Sequence, residues 1–380
     1  MSSLISLVRS SLPGGPGDAP PIIRVAVTVL FISAVVIVFA YLLMLWMRYH
    51  SYRVAKKRAR LNALIDEYLM EYVFSVDDDQ AAPAADEDHA ALRRPPFHNR
   101  RARQILTDRL VAYKKGISGV TGERITALYL ELDLGKFSGR KLDARSHERV
   151  IQGLNEVTEM HAPVSETLLL PLTNSRNRDV RAAARRAYIK LSSNEPFKFF
   201  DIATEHLLVW DQVELFSVIT ATPGLAIPNF ARWITYSPNK GVVSFCLKLI
   251  VHFNQTAAVQ SVISLVNTKD HELRSEAINA LGKLKVEQVE GKLISIYESQ
   301  PRACQIEILK ALGRIASGRH LAFLKQEFLH STSFEIRKHA AKSLINNGTK
   351  ADTMVRELTA VVDDESRLIL SHCNNSLIKF

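Results

Sequence analysis

Five arginines crowd into eleven residues: Arg176, Arg178, Arg181, Arg185 and Arg186. On a helix, Arg178, Arg181 and Arg185 share a face, with Arg186 at its flank. Guanidinium forks grip carboxylates and phosphates, so the cluster could hold an acidic partner segment or a phosphate. The alternative role is internal, with Arg181 and Arg185 paired to acidic residues of adjacent elements. Trp210, Trp233 and Tyr236 follow in the middle of the chain. Facing solvent they would anchor a protein partner; facing inward they would fill a core. Reaction chemistry is harder to find. No Walker loop, dinucleotide fingerprint or zincin motif occurs. Gly135, Gly139 and the Gly116/Gly119 pair read as turns. The twelve histidines are dispersed, with His271 and His330 at turns and His161 just before Pro163. Three scattered cysteines (Cys246, Cys304, Cys373) make neither a disulfide framework nor a zinc site. The expectation is no catalytic residue, no cofactor and no metal: a binding protein rather than an enzyme.

The surrounding chain must supply the elements that position these groups. With 380 residues, 47% hydrophobic and 8% aromatic, a large core can form and global disorder is excluded. Only 16 Gly and 14 Pro disfavour a turn-rich β fold. The net charge of +10 divides as +1 over residues 1–47, +4 over 48–115 and +5 over the remainder. That is a modest excess for the last 265 residues and argues against a nucleic-acid partner.

Val25 to Met47 contains 23 residues without a formal charge. As a helix rising about 1.5 Å per residue it exceeds the roughly 30 Å hydrocarbon core. Tyr41, Trp46, Tyr49 and Tyr52 gather where an interfacial aromatic belt would lie. The run is too long for a signal peptide and is not followed by a cleavage site. Six cations follow it (Arg48, Arg53, Lys56, Lys57, Arg58, Arg60), against Arg9 and Arg24 before it. This asymmetry predicts a single pass with the carboxyl-terminal part in the cytoplasm. Reduced cysteines suit that compartment, and the sequon-like Asn254, Asn347 and Asn374 would go unglycosylated. Leu61, Leu64, Ile65, Tyr68, Leu69, Tyr72 and Val73 then recur at helical spacing. The basic amphipathic helix over 48–74 could face a partner at the membrane, lie on anionic lipid, or pack on its own domain. Residues 75–97, with Asp77–Asp79, Asp86–Asp88 region acids and Arg93-Arg94-Pro95-Pro96, read as a flexible tether.

A period dominates the rest. Val157, Tyr188, Ile219, Ile250, Leu281, Leu312 and Leu344 stand 31 residues apart, the last interval being 32. Four positions before each lie Gly153, Ala184, Leu215, Cys246, Ala277, Ile308 and Ala340. One position before lie Glu156, Ala187, Val218, Leu249, Ala280, Ala311 and Ser343, apolar or small in all but the first. Asp179-Val180-Arg181, Glu272-Leu273-Arg274 and Glu335-Ile336-Arg337 open three copies, each after a polar turn: Asn174-Ser175, Asn267-Thr268 or His330-Ser331. Second helices are expected over segments such as 196–210 and 317–329, with Pro163, Pro196 and Pro301 near helix starts. A helical hairpin cannot bury its apolar face alone, whereas stacked hairpins bury one continuous core.

The predicted fold is therefore all-α: a transmembrane helix followed by an α-solenoid of about seven hairpins. The order is a tail (1–21), the membrane helix (22–47), the basic helix (48–74), the linker (75–97), a helical cap (98–145) and the solenoid (146–380). LRSEAINALGKL and IRKHAAKSLI resemble HEAT repeats of the armadillo-like helical class. Gly122-Glu123, Glu131 to Gly135, Trp233, Tyr236-Ser237 and Val242 to Ile250 are similar to stretches of bacterial single-span HEAT proteins. That resemblance implies pairing with a family-2 glycosyltransferase that builds surface polysaccharide, at the bacterial inner membrane. The expected function is a membrane-tethered scaffold binding a protein partner, with the bilayer as its other contact. A nucleic-acid-binding solenoid or a HEAT-like enzyme such as a bilin lyase would be the alternatives.

Overall fold

A computed structural model describes residues 21–74, 97, 99–117, 119–375 and 377. The amino-terminal tail and the acidic tether, Pro21 and Phe97 apart, lie outside the described residues. Among those described, nineteen α-helices and four short 3-10 turns form the secondary structure, and no strand occurs. The chain divides into two compact units, residues 1–134 and 135–380.

The first unit is built on α1 (Pro21–Phe74), a single helix of 54 residues without a break. It is the one described helix long and apolar enough to cross a membrane. From Val25 to Met47 its large apolar side chains are all exposed, Leu43 and Leu45 least at 44%. Beyond Met47 only one side stays apolar. Leu61, Ile65 and Leu69, one helical turn apart, are buried and pack against α2 (Arg100–Gly116) and α3 (Val120–Glu131). Those helices answer with Leu106 and Leu110, and with Ile125, Leu128 and Tyr129. Asn99 caps α2 by accepting from the Arg101 N–H. Arg109 fixes the angle of approach, donating to both carboxylate oxygens of Asp66 at 2.6 Å. Of the three roles open to the basic helix, packing on its own unit accounts for this face; Leu64 instead faces outward.

The second unit is a row of hairpins. After α4 (Leu134–Gly139), the 31-residue positions fall on α5 (His147–Glu159), then α7 (Arg178–Leu191), α9 (Val209–Ala221), α11 (Lys240–His252), α13 (His271–Lys283), α15 (Arg302–Ile315) and α17 (Phe334–Asn346). Between them run α6 (Glu166–Leu172), α8 (Phe199–Ile202), α10 (Ala231–Tyr236), α12 (Val259–Leu265), α14 (Glu290–Ile296) and α16 (Leu321–His330). The row closes with α18 (Asp352–Val361) and α19 (Asp364–Asn374). Each odd-numbered helix from α5 packs on the next, through to α19. All seven positions of the 31-residue series are buried, none more than 2% exposed. Small residues next to these positions make this possible. Where the row is tightest, a Cβ on Gly282 would sit 2.7 Å from the Ala311 Cα, and one on Gly313 would sit 2.7 Å from the Ser343 Cα. Only glycine lets these backbones approach so closely.

Two local expectations are corrected. The stretch 196–210 is not a second helix: only α8 forms there, and Trp210 belongs to α9. Phe197, Phe199 and Phe200 are each buried, and three inward aromatics within four positions cannot share one helical face. They turn instead into a cluster in which Phe197 meets Phe230 edge-on at 5.1 Å and Phe200 meets Trp233 at 5.4 Å. The caps also fall later than the predicted turns. Asn177, Asn239, Asp270 and Ser333 accept from the first free N–H groups of α7, α11, α13 and α17. Pro301 does stand at the start of α15, while α6 starts three residues after Pro163.

Candidate partner-binding groove

The arginine cluster is consumed by the fold. Arg178 donates to Asp211 at 3.2 Å and Arg186 pairs with Glu214, both on α9. Arg181 and Arg185 do not meet carboxylates. Arg181 donates to the Ser175 carbonyl at 2.7 Å, and Arg185 to the Thr173 carbonyl at 3.1 Å. These carbonyls close the α6 turn, where the helix geometry leaves them without partners. Arg185 is 2% exposed, and its second terminal nitrogen finds no hydrogen bond. Burial, followed by the nearby Arg181 charge, lowers its pKa to about 10. The space among Arg178, Arg181, Arg185, Asp211 and Glu214 is about 10 Å³, room for one water and not for a phosphate.

The same device recurs down the row. Arg274 donates to the Thr268 carbonyl at 3.0 Å and reaches forward to Gln300 at 2.5 Å. Arg337 donates to the Phe328 carbonyl at 3.3 Å and forward to Ser366 at 2.6 Å. The arginine of the acidic–apolar–Arg word therefore caps the preceding helix, and in these two copies it also ties into the next hairpin.

The aromatics divide. Trp233 is 5% exposed and its indole N–H donates to Asp201 at 2.7 Å, so it is core and not an anchor. Trp210 is 68% and Tyr236 81% exposed. Leu208, Val209 and Val213 beside Trp210 are exposed as well. Of the basic residues after the apolar run, Arg58 pairs with Asp108 at 3.1 Å. Arg48, Arg53, Lys56, Lys57 and Arg60 are exposed, with no carboxylate partner among the described residues.

A different feature offers a binding surface, and the sequence did not single it out. A groove of about 590 Å³ runs across α9, α11, α13 and α15. Its floor is apolar, with Leu247, Val251 and Ala280, and its wall includes Phe216, packed edge-on to His252 at 4.7 Å. Ser244 donates to Glu276 at 2.9 Å, and the other Glu276 oxygen is buried without a partner. Asn279 and Lys310 each donate to Glu307 at 2.7 Å. Burial would raise the Glu307 pKa, but the hydrogen bonds from Lys310 and Asn279 outweigh it and hold the carboxyl low. Two cations remain over. Lys248 is satisfied only by the neutral Gln212 amide at 2.6 Å, and Lys283 has no ion pair among the described residues. The Glu276 carboxyl, which meets no cation, offsets one of them; the apolar floor, the remaining positive charge and the ring wall suit an extended apolar chain that carries an acid. The signal for it lay in helix positions three and four apart, Lys248/His252 and Glu276/Asn279/Lys283, read across copies of the period.

Among the described residues no group of three or more His, Cys, Asp or Glu side chains could hold a metal ion. All three cysteines are buried, and burial pushes the Cys246 thiol well above its ordinary pKa.

No family model matches the chain, and no curated protein matches it. Among solved structures, an engineered protein from the Northeast Structural Genomics Consortium aligns with 84% of this chain and 90% of its own. Its 15% identity and TM-score of 0.33 are too low to bear on fold or function. The HEAT resemblance and the glycosyltransferase pairing rest on the quoted residues alone.

Proposed function

We propose that this protein is a non-enzymatic, membrane-tethered scaffold. Helix α1 crosses the bacterial inner membrane once, the row of hairpins works as a HEAT-like solenoid in the cytoplasm, and its groove holds an acidic–apolar segment of a protein partner. The observation that carries this reading is the groove across α9 to α15, where Lys248 and Lys283 stand beside an apolar floor and meet no carboxylate among the described residues. Confinement to the membrane raises the effective concentration of any neighbour in the same bilayer, so a weak groove contact suffices for residence. A family-2 glycosyltransferase of surface-polysaccharide synthesis is the partner to test first.

The test is affinity capture of the full chain from membranes in mild detergent. A membrane glycosyltransferase should co-purify, and Lys248→Glu with Lys283→Glu should release it while far-UV circular dichroism stays unchanged. Capture that recovers no membrane enzyme, with surface polysaccharide unchanged on deletion, would remove the glycosyltransferase. Capture indifferent to the two lysines would remove the groove.

A further inference from the structure

We infer that the face of α1 bearing Arg53, Lys56, Lys57 and Arg60 docks an acidic segment of a second membrane protein, at a height above the lipid headgroups. The inference rests on the reading of Val25–Met47 as a membrane span and adds a second contact surface to the scaffold.

At about 100° per residue these four cations fall within about 100° of one another on the helix wheel. Leu61, Ile65 and Leu69, which pack on α2 and α3, lie largely on the other side. The fold neutralises charge wherever α2 reaches: Arg58 meets Asp108, and Asp66 meets Arg109. On the remaining face it does not. All four cations are exposed and none has a carboxylate partner among the described residues; the acids on that side of the helix, Glu67 and Glu71, come only farther up. Arg53–Lys57 and Lys56–Arg60 are like-charge pairs four residues apart, an arrangement that weakens a helix until an anion arrives.

Height decides what that anion is. Lipid headgroups add only about 5–8 Å beyond each side of the hydrocarbon core. On a continuous helix, Arg53 stands about 9 Å past Met47, Lys56 about 13 Å and Arg60 about 20 Å. Arg53 bends over the Tyr49 ring, 5.6 Å from its centroid, within reach of the interface; the other three stand clear of it. The helix cannot fold down to lipid, because it is unbroken to Phe74 and held along Leu61, Ile65 and Leu69. A typical tilt of about 20° lowers Arg60 by only about 1 Å. A second copy would bring the same cationic face and repel. What remains is a carboxylate-rich segment rising beside α1 from a neighbouring span.

Leu64 is half exposed on the same side, so a photoreactive amino acid placed there leaves the cations intact. Irradiating the full chain in its own membranes should join it to a different membrane protein, through an Asp/Glu-rich stretch next to that protein's span. The variant Lys56→Glu/Lys57→Glu/Arg60→Glu, still membrane-inserted through Arg48 and Arg53, should cut the adduct at least tenfold. Lys56→Arg/Lys57→Arg should keep it. Adducts confined to lipid, to a second copy or to residues 75–96 of the same chain would overturn the inference, as would an adduct indifferent to charge reversal. If groove variants release the partner while charge reversal on α1 does not, the scaffold reading stands and this inference falls.

Discussion

Gly313→Ala tests the packing that holds the row together. A Cβ added there would stand 2.6 Å from the Ser343 hydroxyl oxygen, 2.7 Å from the Ser343 Cα and 2.8 Å from its Cβ. Two of these atoms belong to a side chain, but the Cα is backbone, so α15 and α17 must separate. Overpacking of this kind costs about 1–3 kcal/mol. The Ser343 hydroxyl, which donates to the Leu309 carbonyl at 2.7 Å, would be displaced as well. Alanine returns up to about 1 kcal/mol through its helix propensity, leaving a net loss of about 1–2 kcal/mol. Gly291→Ala, in α14, supplies the control: nothing lies within 4 Å of its added Cβ, and the same propensity makes it neutral to stabilising by up to about 1 kcal/mol. Because α15 packs mainly on α13 and α17, the loss at Gly313 should localise. Amide exchange should quicken in α15, α17 and α19 and stay unchanged in α5 and α7. Ser343→Gly should rescue Gly313→Ala only in part, since the Cα clash persists. Stabilisation by Gly313→Ala, or a change spread evenly along the chain, would refute the argument.

Other outcomes follow from the same geometry. His339 has its pKa lowered to about 4 by burial first, then by Lys310 and Lys338, against the opposing pull of Glu307 and Glu335. A depressed histidine contributes stability above its unfolded value near 6.5 and loses it as pH falls toward 4; about 3 kcal/mol is the ceiling. Hydrogen exchange in α17 between pH 7 and 4.5 should show that slope, and His339→Gln should flatten it. In the first unit, hydrogen bonds from Arg109 hold the Asp66 carboxyl below its ordinary range despite partial burial. That stabilisation is present above about pH 4 and is lost as pH falls through the lower folded value, so Asp66→Asn should loosen the α1–α2 contact at pH 7 far more than at pH 2, read by exchange in α2. Arg274→Ala should cost about 1–3 kcal/mol by leaving the Thr268 carbonyl uncapped, visible as faster exchange at the start of α13. With Trp46→Phe in place, acrylamide should quench Trp210 and spare Trp233, which Trp210→Phe and Trp233→Phe would assign from the fluorescence.

Much of the architecture was legible because it rests on periodicity. A helix that must bury one stripe repeats its apolar positions, and Val157 through Leu344 are buried at every copy, including those at Ile219 and Ile250, where the local words differ. The apolar run from Val25 was equally plain, since composition alone made it a helix able to cross a membrane. What failed depends on contacts between copies. Residues 196–210 look helical by local propensity, yet Phe197, Phe199 and Phe200 each gain more from the aromatic cluster around Phe230 and Trp233 than from a further helical turn. Trp233, which the sequence leaves open between core and anchor, is decided by a similar contact: its indole N–H donates to Asp201, 32 residues earlier and outside any local window.

The arginines show why the site was harder to read than the fold. Density of charge suggested an open site at Arg178 to Arg186, but Arg181 and Arg185 close the helix before them. The signal was present in Arg274 and Arg337, which occupy the equivalent place in copies that carry no cluster. An arginine at the Arg181 position meets carbonyls at the end of the preceding helix in three copies, so its recurrence marks it as part of the fold. Recurrence alone does not decide the matter, because cations also recur at the Lys248 position, as Arg186, Lys310 and Lys342, and at the Lys283 position, as Lys190 and Arg314. Their partners separate them. Arg186 meets Glu214, and Lys310 and Arg314 meet Glu307, whereas Lys248 and Lys283 meet no carboxylate among the described residues. On that difference, and not on density of charge, the groove across α9 to α15 is a better candidate for a partner's charge than the arginine cluster.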